Sequence, residues 1–300
     1  MAAPRLEPAT SRCRFALLAL AVLSAAPCAT AAKPEMVRVP AGVVQIGSDR
    51  SRPDEGPAFT THVAAFDLDR TPVTVAAFAR FAKQSGFVTE AEKLGTGAVM
   101  TFGTGQWKLV QGANWHQPLG PKADAAQATH PVTQVSWNDA SAYCAAQGKR
   151  LPSEIEYEYA ARAGQPAGSA HAFGNDLVKD GHYRANVWTG VFPLLNTAKD
   201  GYRTTSPVGA FGEGPRGLTD MAGNVWEWTS DWYRPYAERE QLWPAGKAGE
   251  KVQRGGSFLC DPTFCYGFKV TSRGHATPDS SLMHVGFRCA RSVAAPPKTP

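Results

Sequence analysis

The sequence predicts an α+β fold with little regular secondary structure, and three observations support that class. The 300 residues include 29 glycines and 23 prolines, a content that favours turns and ordered loops over a helical bundle. Short runs with alternating apolar residues indicate strands. Three segments combine a helical apolar period with a capping residue. At this length we expect one domain with a large core.

Extended and helical segments follow one another in the first part of the chain. The run "MVRVPAGVVQIGS" predicts two strands that turn at Ala41 and Gly42, followed by a loop at 50–58. The run "THVAAFDLDRTPVT" alternates like a strand and leads into a helix that Thr74 caps and Gly86 ends. Residues 95–130 show no sustained period, so we expect an irregular functional surface there.

Two more helices and a β-rich C-terminal part complete the predicted order of elements. Asn138 is expected to cap the first of these helices, while Ser153 and Glu156 form a capping box for the second. Beyond residue 165, "GNVWEWTSDWY" predicts a pair of aromatic strands and "HVGFRCARS" predicts a closing strand.

Residues 1–32 predict a secretory signal peptide. Arginines precede an apolar run that ends in the small residues Ala29, Thr30 and Ala31. We therefore expect an exported protein, periplasmic or secreted, with one domain at 33–292 and a disordered tail at 293–300. No later segment predicts a membrane span. The net charge of +5 is too small to indicate nucleic-acid binding.

Four cysteines follow the predicted signal peptide, which allows two disulfides in an oxidising compartment. Cys144 lies in a predicted helix and Cys289 in the closing strand. We interpret them as a structural bond worth on the order of 4 kcal/mol in the chain-entropy model. Cys260 and Cys265 flank Pro262 in a glycine- and aromatic-rich run, where a local disulfide and a soft-metal dithiol both remain open. Two thiolates without a neighbouring histidine suit Cu(I) better than zinc.

Three turns rich in side-chain oxygen, "RANVWTG", "TAKDGY" and "TDMAGNVWEW", are typical of sites for hard cations such as Ca²⁺. Asp and Asn are also ordinary turn residues, so this pattern is weak evidence by itself. The chain has no G-x-S-x-G, H-E-x-x-H, P-loop or dinucleotide motif, and its seven histidines are scattered. These absences leave the cysteine pair as the strongest candidate for chemistry.

Long stretches of the chain resemble the formylglycine-generating enzymes, also called sulfatase-modifying factors. The similarity runs in order from about residue 36 to 291 and includes "HPVTQVSWNDASAYCAAQGKRLPSEIEYEYAARAG", "GLTDMAGNVWEWTSDWY" and "RGGSFLCDPTFCYGF". The wider superfamily shares "GNVWEW" and "GFRC" but mostly lacks the paired cysteines, so 255–268 is the specific part. The resemblance implies a single domain of this family with a C-type-lectin-like fold.

The resemblance also implies an activity, the aerobic oxidation of a cysteine to Cα-formylglycine. The substrate would be an unfolded sulfatase carrying a C-x-P-x-R motif, with O₂ and a thiol reductant as further partners. Cys260 and Cys265 would bind Cu(I), while Ser257 and Trp226 would lie near the metal. Two alternatives are another oxidative member of the superfamily that acts on a different substrate and a lectin-like binding module without enzymatic activity.

Two calcium sites and two departures complete what the resemblance implies. The first calcium site maps onto Asn186, Val187, Asp200 and Tyr202, and the second onto Asp220, Gly223, Val225 and Glu227. In the departures, Asp261 stands where the family often has histidine, and His284 where it often has a substrate-groove asparagine. Both departures bear on how a peptide would be bound.

Overall fold

The computed structural model describes residues 35–244 and 246–293. The predicted signal peptide, and the predicted tail beyond its first residue, lie outside this range. The described residues form fifteen short strands, which are β1 (Met36–Val39), β2 (Gly42–Ile46), β3 (Phe59–Val63), β4 (Phe66–Asp69), β5 (Thr96–Thr101), β6 (Gln106–Gln111), β7 (Val178–Lys179), β8 (His182–Tyr183), β9 (Gly190–Val191), β10 (Leu195–Asn196), β11 (Trp226–Trp232), β12 (Lys251–Arg254), β13 (Gly274–Ala276), β14 (Val285–Gly286) and β15 (Ala290–Ser292).

These strands form two small sheets and four hairpins, which confirms the predicted α+β class with little regular structure. One sheet has β4 between β1 and β15, and both pairs are antiparallel. The other sheet has the order β13-β12-β11-β14, in which β11 and β14 are parallel and the other pairs antiparallel. The hairpins are β2–β3, β5–β6, β7–β8 and β9–β10.

Four α-helices occur in the described part of the chain: α1 (Val75–Ser85), α2 (Glu90–Leu94), α3 (Trp137–Ala146) and α4 (Glu154–Arg162). None of them is long and apolar enough to cross a membrane. The predicted cap of α1 at Thr74 and its end at Gly86 are confirmed, since Gly86 has a left-handed φ of 69°. The capping box of Ser153 and Glu156 on α4 is confirmed as well.

The start of α3 differs from the prediction. Ser136, not Asn138, is the N-cap. The hydroxyl of Ser136 accepts a hydrogen bond from the Asp139 N–H at 3.1 Å, and the Asp139 carboxylate accepts one from the Ser136 N–H at 2.8 Å. This reciprocal pair satisfies two backbone donors at once, which a cap at Asn138 would leave open.

Three further differences concern strands. Residues 95–130, expected to be irregular, contain the hairpin β5–β6, and β6 is exposed along almost its whole length, so its sequence lacks a buried face. The run "GNVWEWTSDWY" holds one strand, β11, whose neighbours β12 and β14 lie far along the chain. The closing segment splits into β14 and β15, which belong to different sheets. Long-range pairing decided the last of these cases, in which β14 and β15 join strands far away in the sequence.

The disulfide between Cys144 and Cys289 confirms the predicted structural bond. It joins α3 to the residue before β15, across 145 positions of sequence, and both cysteines are fully buried in the main core. Helix α4 packs beside them against β11 and β12. The strand β12 therefore ends on a rigid base, and the segment with the other two cysteines begins directly after it.

We predict that Cys144→Ser destabilises the protein by on the order of 4 kcal/mol, because it releases a long loop in the unfolded chain. For a domain of this size, that corresponds to a fall in melting temperature of roughly 8–16 °C. Cys265→Ser, which breaks no disulfide, serves as the control in the same thermal scan. Equal melting temperatures for the two variants would contradict the structural role of the bond.

Candidate functional site

The segment 255–271, called the dithiol loop below, has no helix or strand but is hydrogen-bonded to the rest of the domain. The Phe258 N–H donates to the Asn224 carbonyl at 3.0 Å, and the Cys260 carbonyl accepts from the Trp188 N–H at 2.9 Å. On the returning arm, the Val270 N–H donates to the Ala170 carbonyl at 2.8 Å. The loop is irregular and nevertheless fixed at several points along its length.

A turn around Asp261 brings the two cysteines of the loop together. The Asp261 carboxylate accepts from the N–H groups of Thr263 at 2.7 Å and Phe264 at 3.2 Å, and its carbonyl accepts from the Cys265 N–H at 3.0 Å. The sulfur atoms of Cys260 and Cys265 lie 2.8 Å apart as two free thiols. The structure therefore has two free thiols here and no local disulfide.

The two thiols differ in environment. Cys260 is 1% exposed, and burial raises its pKa well above the usual range. A hydrogen bond from Cys260 lowers the pKa of Cys265 to about 7, helped by the Gly267 N–H and the positive charge of Arg52. Cys265 is only half-buried. The pair thus combines a buried proton donor with an accessible thiolate, a reactive state of cysteine.

Ser257 and Trp226, both predicted as site residues, are buried beside Cys260. The Ser257 N–H donates to the Cys260 sulfur at 3.5 Å. Gly267 lies between Cys260 and the indole of Trp226, since a β-carbon there would come within 2.7 Å of the sulfur and 2.4 Å of the ring. Any other residue at 267 would displace one of these groups.

The donor set of the loop suits a soft monovalent metal. Across 35–244 and 246–293, no three His, Cys, Asp or Glu side chains come together as a metal-ligand set, so a zinc site with four such ligands has no basis there. Cys260 and Cys265 offer two sulfurs alone. Thiolate sulfur is the ligand that Cu(I) prefers, so these residues fit the predicted ion.

In the first predicted calcium site, Val187 and Tyr202 are both hydrogen-bonded to Asp200. Asp200 accepts hydrogen bonds from the N–H groups of Val187 at 2.9 Å and Tyr202 at 3.1 Å, and burial raises its pKa. The side-chain oxygen of Asn186 is buried without a hydrogen-bond partner among the described residues. A buried oxygen without a partner is unfavourable, and a hard cation bound by it would satisfy it.

The second predicted calcium site is arranged differently. Both carboxylate oxygens of Glu227 accept from the fully buried Arg288, at 2.6 and 2.7 Å. Both carboxylate oxygens of Asp220 accept hydrogen bonds as well, from Gly209, Thr219 and Asn224. A positive charge and a set of donors already satisfy these acids. In contrast to the first site, the second offers no unpartnered side-chain oxygen.

Two pairs of aromatic rings involve residues singled out for this site, one with Phe264 of the dithiol loop and one with His284. Phe264 is 67% exposed and stacks on Phe192, with the ring centroids 4.9 Å apart. Trp107 packs on His284 at 5.0 Å, and burial lowers the pKa of His284 to about 3. His284 therefore presents a neutral imidazole at neutral pH. Phe264 and Trp107 thus have exposed ring surface that an apolar peptide segment could contact.

Sequence reasoning missed two residues that shape this site. Gly267 was not singled out, although a glycine two positions after a candidate cysteine can signal a close approach of the backbone. Arg254 was also missed. Two sequence features could have identified it. Arg254 directly precedes a pair of glycines, and a predicted helix carries two acids four positions apart, Glu154 and Glu158. Such acids are hard to bury without a cation.

We predict that iodoacetamide alkylates Cys265 with a pH midpoint near 7, because only the thiolate reacts and the hydrogen bond from Cys260 stabilises it. Alkylation is slow below that midpoint and reaches its plateau above it. In Cys260→Ala the midpoint should move up toward that of an ordinary thiol. Pulsed labelling with mass spectrometry measures both, and a wild-type midpoint above about 8.5, the ordinary cysteine value, would contradict the asymmetry.

The chain is similar to a known protein family, to named relatives and to a solved structure. The family model described as "Sulfatase-modifying factor enzyme 1-like domain" matches residues 23–293. A formylglycine-generating enzyme from Streptomyces coelicolor is 42% identical over 280 residues, with 86% of this chain and 89% of the relative covered. The solved structure of PvdO from Pseudomonas aeruginosa superimposes with a TM-score of 0.67 at 29% identity, covering 87% of this chain and 95% of that one.

One relative carries a different description. A mouse protein named "Inactive C-alpha-formylglycine-generating enzyme 2" is 38% identical over 285 residues, which cover 88% of this chain and 87% of the relative. Overall similarity therefore includes named enzymes and a protein named as inactive. The family model spans all of the described residues, and the relatives are similar over most of their length. The chain belongs to the sulfatase-modifying factor family, which is the formylglycine-generating enzyme family.

Proposed function

We propose that the protein is a copper-dependent formylglycine-generating oxidase that acts on an unfolded sulfatase polypeptide. The single observation that carries the proposal is the pair of free thiols 2.8 Å apart, one buried and one accessible. The named relatives support the reaction class, because a formylglycine-generating enzyme is among them at 42% identity. The substrate motif C-x-P-x-R, the metal and the use of O₂ are part of the proposal.

The overall reaction balances with O₂ and two reducing thiols. The substrate cysteine loses its sulfur as hydrogen sulfide, and its β-carbon becomes an aldehyde. The aldehyde oxygen comes from water by hydrolysis. The substrate and the two reducing thiols, which become a disulfide, each give up two electrons, and these four electrons with four protons reduce O₂ to two molecules of water. Cu(I), when held by Cys260 and Cys265, supplies a redox-active centre at which electrons pass from sulfur to O₂.

The side chains around the thiols have separate roles in this proposal. Cys265, the more accessible cysteine, is the one that an incoming substrate thiol approaches. Ser257 donates its N–H to the Cys260 sulfur and so holds that ligand in orientation. Trp226 and Gly267 pack against the buried Cys260 and keep water from its inner side. Phe264 and Trp107 offer ring surface to the apolar part of a peptide.

A binding protein without enzymatic activity is the second candidate, and the relative named as inactive is the observation that favours it. The two candidates make different demands on the cysteines. A binding module needs the turn around Asp261 but neither free sulfur, whereas the oxidase needs both. An oxidative member of the superfamily with another substrate would need the sulfurs but would not turn over a C-x-P-x-R peptide.

We further propose export, as the N-terminal sequence predicts, and one structural calcium ion at Asn186, Val187, Asp200 and Tyr202. The buried, unpartnered oxygen of Asn186 supports this ion, and so does the hydrogen bond that joins the next residue, Val187, to the Asp200 carboxylate. The second calcium site stays a prediction, since Arg288 already neutralises Glu227. In an oxidising compartment Cys260 and Cys265 must also stay reduced between turnovers, which gives the thiol reductant a further role.

We predict that Cys260→Ser and Cys265→Ser each abolish conversion of a C-x-P-x-R peptide, with a loss of at least a thousandfold, because one sulfur cannot hold Cu(I) as a dithiolate. Mass spectrometry of the peptide, incubated with the protein, Cu(I), a thiol reductant and air, detects the aldehyde. A Cys-to-Ser peptide is the substrate control.

The matched control variant is Thr263→Ser, which changes the same exposed turn and keeps both the sulfurs and the hydroxyl that bonds Asp261. It should turn over the peptide at the wild-type rate within a factor of about two. Full activity in either cysteine variant would eliminate the dithiol mechanism. A wild-type protein that is folded and copper-loaded but inactive on this peptide would favour one of the other two candidates.

For the calcium site, we predict that chelation lowers the melting temperature of the wild-type protein and that added Ca²⁺ restores it, because the ion binds only the folded state. Asp200→Asn should melt at one temperature with or without Ca²⁺. Asp124→Asn, at an exposed position, should keep the wild-type response. Thermal scans on all three proteins measure the effect, and an unchanged Ca²⁺ response in Asp200→Asn would contradict the site.

A further inference from the structure

Arg254, the last residue of β12, contacts the far end of the loop that starts directly after it. Its guanidinium is almost completely buried. One nitrogen, Nη2, donates to the Val270 carbonyl at 2.5 Å, and Nη1 donates to the Thr271 carbonyl at 3.2 Å. The backbone of Arg254 precedes residue 255 and its side chain holds residues 270 and 271. One residue therefore closes both ends of the dithiol loop.

The base of this closure is the helix α4. Arg254 also donates to Glu158 at 2.5 Å and to Glu154 at 3.2 Å, and both acids are buried. A guanidinium has donors in a fixed planar fork, so it can bind two carboxylates and two carbonyls at once. The ammonium of a lysine keeps the charge but has three donors around one atom and cannot span this set.

The two arms of the loop touch just above Arg254. Gly256 has a φ of 73°, and a β-carbon there would lie 2.4 Å from the Phe268 nitrogen. Cys260 follows this contact on the outgoing arm, and Cys265 precedes it on the returning arm. If the ends of the loop separate, the arms part at Gly256 and the effective concentration of one thiol at the other falls.

We propose that Arg254 is a positioning residue for the dithiol, because its guanidinium ties both ends of the loop to α4 and so keeps the two sulfurs at a distance at which they act together. Arg254 does not contact either sulfur. It acts through the carbonyls of Val270 and Thr271. The role of these sulfurs as copper ligands rests on the proposed function, but their proximity does not.

A copper-free measurement tests the positioning directly. The protein is equilibrated with mixtures of reduced and oxidised glutathione, and trapped Cys260 and Cys265 are quantified by mass spectrometry. In this exchange the protein dithiol is oxidised to a disulfide while one molecule of oxidised glutathione is reduced to two molecules of glutathione. The equilibrium constant reports the effective concentration of the two protein thiols.

The test variant is Arg254→Lys and the matched control is Arg273→Lys. Arg273 is buried in the same cluster and binds Glu154 at 2.6 and 2.9 Å, but its other acceptors are the carbonyls of Asp54 and Arg234, outside the dithiol loop. Thermal scans establish that each variant folds. If Arg254→Lys does not fold, the double variant Arg254→Gln with Glu158→Gln replaces it, because it removes the buried guanidinium together with the carboxylate it contacts most closely. The other cation bound to Glu158, Arg162, is partly exposed and can be hydrated when that carboxylate is removed.

We expect the exchange constant to fall at least tenfold in Arg254→Lys, or in the replacement variant, and to stay within twofold of wild type in Arg273→Lys. An unchanged constant in the Arg254 variant would overturn the proposal. An equal fall in both variants would overturn it too, because the effect would then belong to the ion cluster and not to loop closure.

A second measurement, competition for Cu(I) with a chromogenic chelator, separates this proposal from the proposed function. Weaker Cu(I) binding in Arg254→Lys with wild-type binding in Arg273→Lys supports the positioning role. If the wild-type protein binds no Cu(I), the copper assignment fails, while the glutathione measurement still decides the role of Arg254. Cu(I) binding that is equal in wild type and the Arg254 variant would overturn the proposal.

Discussion

The buried charge of α4 is the constraint on which the candidate site depends. Glu154 and Glu158 point into the domain, and an unpaired carboxylate there would be strongly unfavourable. Arg254 and Arg273 neutralise them, in contacts as short as 2.5 and 2.6 Å. Breaking such a pair typically destabilises a protein by about 3–5 kcal/mol. These contacts therefore hold the end of β12 against α4, and the dithiol loop begins directly after it.

The predictability of the fold varied with the range of the interactions. The caps at Thr74 and Ser153 were predictable, since they depend on residues within one helical turn. The disulfide of Cys144 and Cys289 was predictable because few cysteines were available. The exposed strand β6 was not, as it has no buried face to produce an apolar alternation. Pairing of β11 with β12 and β14 depends on contacts far apart in sequence, which local patterns do not contain.

In the candidate site too, features set by residues close in sequence were predictable, and features set by three-dimensional packing were not. The pair Cys260 and Cys265 was identified from the sequence, and an odd separation in a strand would have placed the two side chains on opposite faces. The structure instead has a turn around Asp261, whose side chain accepts from the N–H groups that follow it. The difference between a buried and an accessible thiol follows from packing against Trp226 and Gly267, so only three-dimensional structure reveals it. In the proposed mechanism, that difference lets one sulfur stay fixed while the other meets a substrate.

In the proposed mechanism, two sulfurs of the dithiol loop hold one Cu(I), and the substrate thiol adds a third sulfur. X-ray absorption spectroscopy at the copper edge tests this coordination on the Cu(I)-loaded protein, before and after addition of a C-x-P-x-R peptide under anaerobic conditions. We expect two sulfur ligands without peptide and three with it, and no bound copper in Cys260→Ser. Nitrogen or oxygen ligands in the first shell, or copper retained by Cys260→Ser, would contradict it.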